Sequence, residues 1–348
     1  MVYMYKIKVS LPNQDDCLNI KDFVDNVDNI YKNFKFFINE DVADPDFWFV
    51  VENLKKESEE AYINEQNIIY LNYETSYPKD YFLNQYMQNY LNQFSQKYGT
   101  YNDFTDNYIS TPPFQPWLIN SSQKLSLNSD TERDFSYFLN LNKIEKKKNL
   151  SVICSTKKMT DNHGVRLKFV EKLKDHFGES LDWYGTGKIE IEKKWSGINQ
   201  YKYHIVLENE SRYNLVSEKI YDSFLGLSYP FYHGAPNIHQ YFPEGSLSAI
   251  NIYDLSQSIE TIENGIANNL YEQNFNSILE AKKIVLNDFN LFKRMVDIIE
   301  QFSEEKFNLI KKPTKIYSVS YFWNRDVNFK QKVKHTLKRK LRLNNKNY

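Results

Sequence analysis

Apolar positions along the chain switch between a period of two and a period near 3.6, and the switches mark the elements. In the first 145 residues, Tyr5–Ser10 alternates like a strand. The run 46–51, Asp-Phe-Trp-Phe-Val-Val, is apolar and bounded by polar residues, as expected of a buried strand. Residues 67–73 form a second such run, ending at Glu74. Residues 81–97 have helical spacing, and Thr111-Pro-Pro-Phe-Gln-Pro116 predicts a loop. The stretch 132–148 ends in Glu145-Lys-Lys-Lys148, which reads as a linker.

The second half has a clearer strand–helix rhythm. Strands are expected at 150–155, 181–184, 203–207 and 229–232, with a strand or edge at 247–252. Residues 164–177 form an amphipathic helix, and 217–227 a helix with Ser217 as its N-cap. Residues 278–307 carry long helical periodicity. Strands alternating with helices of about ten residues indicate parallel sheets. The expected class is α/β, with two doubly wound, Rossmann-like domains facing a cleft. The boundaries drawn are 1–145, 146–310 and a C-terminal segment 311–348.

Composition narrows the class. Over 348 residues, 41% are hydrophobic and 26% charged, which is globular rather than disordered. Aromatics reach 16%, enough to build a large core and line a cleft. Net charge is −1, but residues 328–348 hold eight Lys or Arg and no acid, so the first 327 residues carry −9. In that tail Val333, Leu337 and Leu341 are spaced four apart, an apolar stripe with a cationic flank. The stripe suits an anionic membrane surface; a disordered basic tail is the other reading. No specific nucleic-acid partner is expected. The two cysteines, Cys17 and Cys154, form no zinc framework and suit a reducing compartment, with one disulfide left open. The N-terminal residues lack an apolar signal region, and no run approaches 18 apolar residues. The expected location is cytoplasmic, peripheral on the membrane face.

Candidate chemistry concentrates at 201–237. A buried strand runs into Glu208-Asn209, a polar loop follows, and a capped helix begins with Glu218-Lys219. A helix N-terminus offers free N–H groups and a partial positive charge. Lys219 adds a full charge, making a diphosphate cradle without a Gly-rich loop, and Glu218 suits sugar hydroxyls. A capping box beside a solvated lysine explains the same residues. The triplet Asp44-Pro-Asp46 precedes a strand and reads as a turn, and no metal site is expected. His204 reads as a core or cleft-wall residue.

Several pieces, in order, resemble one family. They are Leu207-Glu-Asn209, then Val216-Ser-Glu-Lys219, then Tyr232-His-Gly-Ala-Pro-Asn237, followed by Tyr241-Phe-Pro243 and Ile252-Tyr-Asp-Leu255. Upstream lie Val152-Ile-Cys-Ser155, Arg166 and Phe169. Over residues 145–260 the chain is similar to the α-1,3/4-fucosyltransferases, glycosyltransferase family 10. The resemblance implies a GT-B-like fold, with an acceptor-side N-terminal domain and a donor domain binding a GDP-sugar. It implies an inverting transfer of L-fucose from GDP-fucose to a glycan hydroxyl, with neither metal nor cofactor. Arg166, Asn209, Tyr213, Glu218 and Lys219 would bind the donor, and His233, beside Gly234, is a candidate sugar contact. Residues 68–78 resemble the strand leading to the catalytic base, which places Glu74 in that role. Two departures stand out. The family's usual aromatic is Leu215 here, with Tyr213 two residues earlier as substitute, and Glu210 adds an acid. They keep open another GDP-deoxysugar donor, and a non-catalytic glycan- or partner-binding protein is the reading from another class.

Overall fold

The computed structural model describes residues 3–12, 23, 29–74, 81–100, 107–121, 133–156, 161–302 and 309–327. They fall into two compact units. One takes the described parts of Met1–Gln14, Asn33–Ser110 and Phe302–Tyr348; the other takes those of Asp15–Lys32 and Thr111–Gln301.

The chain opens with β1 (Tyr5–Ser10), the short β2 (Ile30–Tyr31), β3 (Phe34–Ile38), β4 (Phe47–Val51), β5 (Ser58–Ile63) and β6 (Ile68–Leu71). Helix α1 (Gln85–Leu91), β7 (Gln96–Gly99) and β8 (Tyr108–Ser110) follow. Within the first unit the sheet order is β3-β1-β4-β6-β7-β8, and these strands pair in parallel. Every residue of β4 and β6 is buried. A parallel strand covered on both faces reads as an unbroken apolar run, which is why both are visible in the sequence. Lys8 of β1 is buried in this sheet. Lys8 pairs with Glu59 at 3.0 Å and lies 4.6 Å over the Trp48 ring. Ser10 bridges the same groups, donating to Glu59 and accepting from the Trp48 indole, both at 2.9 Å.

The second unit contains α2 (Phe135–Asn140), β9 (Lys148–Ile153), α3 (Asp161–Phe177), β10 (Leu181–Tyr184), β11 (Tyr201–Leu207), α4 (Glu218–Leu225), β12 (Tyr229–His233) and β13 (Ser248–Ala249). It closes with α5 (Leu255–Ala267), α6 (Leu270–Gln273), α7 (Phe275–Asp288) and α8 (Leu291–Glu300). Its parallel sheet has the order β10-β9-β11-β12-β13. The winding therefore reverses between β9 and β11. In open α/β sheets ligands bind outside the strands' carboxyl ends at such a reversal.

The expected α/β class, with two parallel-sheet units, is the observed one. The units divide the chain differently from the expected boundary near 145. The segment from Thr111 belongs to the second unit because two buried side chains grip it. Arg294 donates to the carbonyls of Pro113 at 2.8 Å and Pro112 at 2.7 Å, and to the Thr111 hydroxyl at 3.1 Å. Its guanidinium lies 3.7 Å from the Phe114 ring centre. Asp222 accepts the Leu118 N–H at 2.8 Å. Nor is 311–327 a separate segment. There β14 (Lys312–Tyr317) pairs antiparallel with β5, and α9 (Val319–Asp326) follows. Ile316 and Phe322 join Trp48, Tyr70 and Tyr90 in the first unit's core.

Two helical expectations are shortened. The helix expected over 81–97 stops at Leu91, because Ser95 N–H pairs with the Ile68 carbonyl and starts β7 alongside β6. The periodicity from 278 is interrupted at Asn290, whose side chain accepts the N–H groups of Phe292 and Lys293 and so starts a second helix, α8. Residues 303–308, the basic run 328–348 and Cys17 lie outside the described residues. Among the described residues no helix is long and apolar enough to cross a membrane.

Arg294→Ala removes three hydrogen bonds to one buried cation. It should cost about 4–5 kcal/mol, the low end for three bonds to a charged group at roughly 1.5–3 kcal/mol each. Urea unfolding of the full chain checks this.

Candidate functional site

At the end of β11, Glu208 is fully buried, and its N–H donates to the His233 carbonyl at 2.8 Å. Its carboxylate reaches nine residues ahead to the start of α4. It accepts the Ser217 N–H at 2.9 Å and the Ser217 hydroxyl at 2.6–2.7 Å, and pairs with the Lys219 ammonium at 3.3 Å. Ser217 also caps α4, as its sequence position predicts, accepting the Lys219 N–H at 3.4 Å. A buried charge is tolerable only when paired and hydrogen-bonded, and Glu208 has both kinds of partner.

The charges continue as an alternating ladder. Lys219 lies 3.3 Å from Glu218, Lys194 lies 3.7 Å from Glu218, and Lys194 lies 3.0 Å from Asp222. Burial alone would lower the Lys219 pKa, but Glu208 and Glu218 outweigh it and hold it up at about 12. Burial would raise Glu218, but Lys219 and Lys194 outweigh it and hold it down at about 2. For Asp222 burial dominates over Lys194, pushing it up to about 6. Lys219 is thus a compensated charge rather than a solvated one, with its side chain 26% exposed.

Arg166, on α3, is 9% exposed. One of its terminal nitrogens donates to the Asn209 side chain and, at 3.5 Å, to the Leu207 carbonyl. Its Nε has no hydrogen-bond partner among the described residues. Such an orphaned donor is costly, and this one sits between the ends of β9 and β11, where the winding reverses. An anion bound there would satisfy it.

His233 ends β12 and is 7% exposed. Its Nδ1 lies 3.3 Å from the Ile250 carbonyl, and burial lowers its pKa, so the neutral ring donates through Nδ1. Nε2 is then an acceptor, with no partner among the described residues. The ring packs 6.2 Å from that of Tyr253, which is 70% exposed. Gly234 must be glycine, because a Cβ there would come within 2.2 Å of the Tyr232 hydroxyl and 2.5 Å of Glu208 Cγ.

The loop between β11 and α4 accounts for the departures in the motif. Leu215 is fully buried, so its side chain belongs to the core. Asn214 adopts the left-handed conformation at φ 61° and is locked by two bonds to Asn237, at 3.0 and 2.8 Å. Tyr213 is 64% exposed, and Glu210 pairs with Arg212 at 3.0 Å.

The structure therefore joins Arg166 to Asn209 and Glu218 to Lys219, with His233 attached through Glu208. Glu74 belongs to the other unit, three residues beyond β6, and its N–H is held by Glu52 at 2.9 Å. Sequence reasoning placed Glu208 in the motif without giving it a role, and passed over Lys194 and Asp222. Glu218 and Asp222 share a helix face at spacing four, a readable signal. Lys194 lies in a short turn far upstream and offers none. The triplet Asp44-Pro-Asp46 is engaged by lysines: Lys6 at 2.8 Å from Asp44, and Lys311 at 2.8 Å from Asp46.

The Asp222 pKa lies above its unfolded value near 3.8. Its contribution to stability is thus fully present below about pH 4 and is lost as pH rises through 6. The loss should be roughly 3 kcal/mol. Asp222→Asn keeps an acceptor for Leu118 and should flatten this part of the stability profile, measured by urea unfolding between pH 4 and 8.

No family model matches the chain. The α-(1,3)-fucosyltransferase of Helicobacter pylori is 28% identical over 97 residues, covering 25% of this chain and 20% of that protein. The chain thus matches about one fifth of that relative's length. Among solved structures, a crystal structure of an α1,3-fucosyltransferase aligns with a TM-score of 0.48 at 18% identity, over 78% of this chain and 80% of that one. An α1,3-fucosyltransferase crystallised with GDP-fucose gives 0.46 at 18% identity, over 81% and 90%. A pneumococcal O-GlcNAc transferase in complex with UDP and GlcNAc gives 0.40 at 12%, over 77% and 58%. Part of this chain is similar in sequence to an α-1,3-fucosyltransferase, the family that its motifs resemble.

Proposed function

We propose that the chain is an inverting, metal-independent glycosyltransferase that moves L-fucose from GDP-fucose to a glycan hydroxyl. The observation that carries the reading is Arg166, a buried guanidinium whose Nε has no partner among the described residues, where the winding reverses and close to a helix N-terminus that carries Lys219. Guanidinium, ammonium and helix N-terminus are three sources of positive potential suited to a nucleoside diphosphate. They would stabilise the charge that grows on the departing diphosphate, so the reading assigns no metal ion. Glu218 would hold a ribose or sugar hydroxyl, Asn209 would orient Arg166, and the exposed Tyr213 ring would lie over the donor. His233 would accept a hydrogen bond from a donor hydroxyl through Nε2. Glu74 would take the acceptor hydroxyl's proton as that oxygen bonds to the anomeric carbon from the face opposite the diphosphate. The C–O bond to GDP breaks, and GDP leaves with the electron pair.

One observation favours a different GDP-deoxysugar as the second reading. Where the family's usual aromatic stands, Leu215 is buried, so no ring contacts the donor from that position. The same proposal has residues 328–348 resting on an anionic membrane surface at the cytoplasmic face, near a glycan acceptor.

Thermal unfolding with GDP, GDP-fucose, GDP-mannose and UDP-galactose tests the donor. A ligand at 100 times its dissociation constant adds about 2.7 kcal/mol, a visible shift. GDP and GDP-fucose should stabilise the wild type and fail to stabilise Arg166→Ala. Lys219→Ala should lower turnover by about 100-fold or more, the scale of a lost transition-state charge contact. Stabilisation by GDP without GDP-fucose selects the second reading, and no response to any guanine nucleotide overturns both.

A further inference from the structure

We propose that Glu52 is the positioning residue of the catalytic carboxylate Glu74, an inference that rests on reading Glu74 as the base. Strand β4 ends at Val51, and Glu52 turns out of it in the left-handed conformation, at φ 67°. Glutamate rarely adopts that conformation, and such residues persist where their surroundings over-determine them. Here the turn carries the carboxylate across the end of the neighbouring strand, β6. Its Oε2 accepts the N–H groups of Tyr73 at 2.8 Å and Glu74 at 2.9 Å, and the Asn72 side-chain amide at 3.1 Å. Its Oε1 accepts the Tyr70 hydroxyl at 3.3 Å. The backbone is tied as well: Glu52 N–H donates to the Leu71 carbonyl at 2.8 Å, and its carbonyl accepts the Tyr90 hydroxyl at 3.0 Å.

Two successive backbone N–H groups turned to one side make an anion-binding nest, and Glu52 fills it with a carboxylate from the same unit. Asn72 completes the clamp. It is fully buried, its N–H bonds to the Tyr98 carbonyl at 2.8 Å, and Thr100 donates to its side-chain oxygen at 3.1 Å. Its amide nitrogen donates to the Glu74 carbonyl at 3.0 Å. Glu74 is therefore gripped on both sides of its own Cα, its N–H by Glu52 and its carbonyl by Asn72. A Cβ on Gly99 would come within 2.3 Å of Asn72 Cβ, so β7 leaves that clamp no room to slide. The arrangement also separates the roles of two neighbouring acids. The carboxylate of Glu52 takes four donors and so holds the chain, while the proposed reading gives proton transfer to Glu74. A base must be held near its transfer geometry, and a displacement of about 1 Å can cost about 100-fold in rate.

The test uses the full chain and follows GDP release from GDP-fucose with water as the acceptor, together with stabilisation by GDP. Glu74→Gln should abolish turnover. Glu52→Ala should lower kcat by about 100-fold. KM for GDP-fucose and the GDP-induced shift in Tm should stay at wild-type values. Glu52→Gln keeps an oxygen acceptor for both N–H groups and should restore kcat to within about fivefold of wild type, a rescue expected from the bonds it retains. Should Glu52→Ala fail to fold, Asn72→Ser, which frees the Glu74 carbonyl, should show the same fall in kcat at unchanged KM. Wild-type kcat in Glu52→Ala, or in Asn72→Ser where that variant replaces it, with Glu74→Gln inactive, overturns the positioning role alone. Normal turnover in Glu74→Gln removes the base assignment and the positioning role with it.

Discussion

The Glu208 carboxylate joins the end of β11 to the start of α4, through the Ser217 amide and hydroxyl and the Lys219 ammonium. An ionised carboxyl with no exposure is tolerable only because each partner offsets part of its desolvation. The dependence runs both ways. With Glu208 in place, the helix starts at Ser217 and Lys219 is aimed. Without it, Lys219 would keep Glu218 and Ser217 as partners among the described residues, and the helix N-terminus would lose its tie to the sheet. The ladder onward to Lys194 and Asp222 extends the same tie to the segment at Leu118.

The first unit solves a related problem with the same parts. An acid directly after a buried strand turns sideways and receives backbone N–H groups from a later stretch of chain. Glu208 receives Ser217, nine residues on; Glu52 receives Tyr73 and Glu74, about twenty residues on. In one unit the acid seats a helix, in the other a loop. Parallel sheets leave strand ends with backbone groups that no neighbouring strand can satisfy. A carboxylate is a compact way to collect several of them.

Local signals carried far in the sequence, and distant ones did not. The apolar runs of β4 and β6, the cap at Ser217 and the strand before Glu208 are each readable within a few residues. Arg166 and Asn209 stand out as residue types in a motif, yet only the sheet order brings α3 against the end of β11. The helix expected through Lys97 has apolar positions that fit a helix as far as Phe94, and pairing with β6 overrides them. The charged run near 145 looks like a linker. The ties that decide the boundary come instead from Arg294 and Asp222, each more than one hundred residues from the position it grips, Pro113 and Leu118. Lys194 pairs with Glu218, 24 positions along the chain, and no periodicity encodes that.

The return of β14 and α9 to the first unit bears on the order of events during synthesis. The stretch Thr111–Gln301 is continuous, so the sheet that carries Arg166, Glu208 and Lys219 is complete once the ribosome has passed α8. The first unit, begun earlier, must wait for Ile316 and Phe322 before its core closes around Trp48 and Tyr90. Domains generally fold as units as they emerge, N-terminal first. Here the half of the molecule that starts first is the half that finishes last.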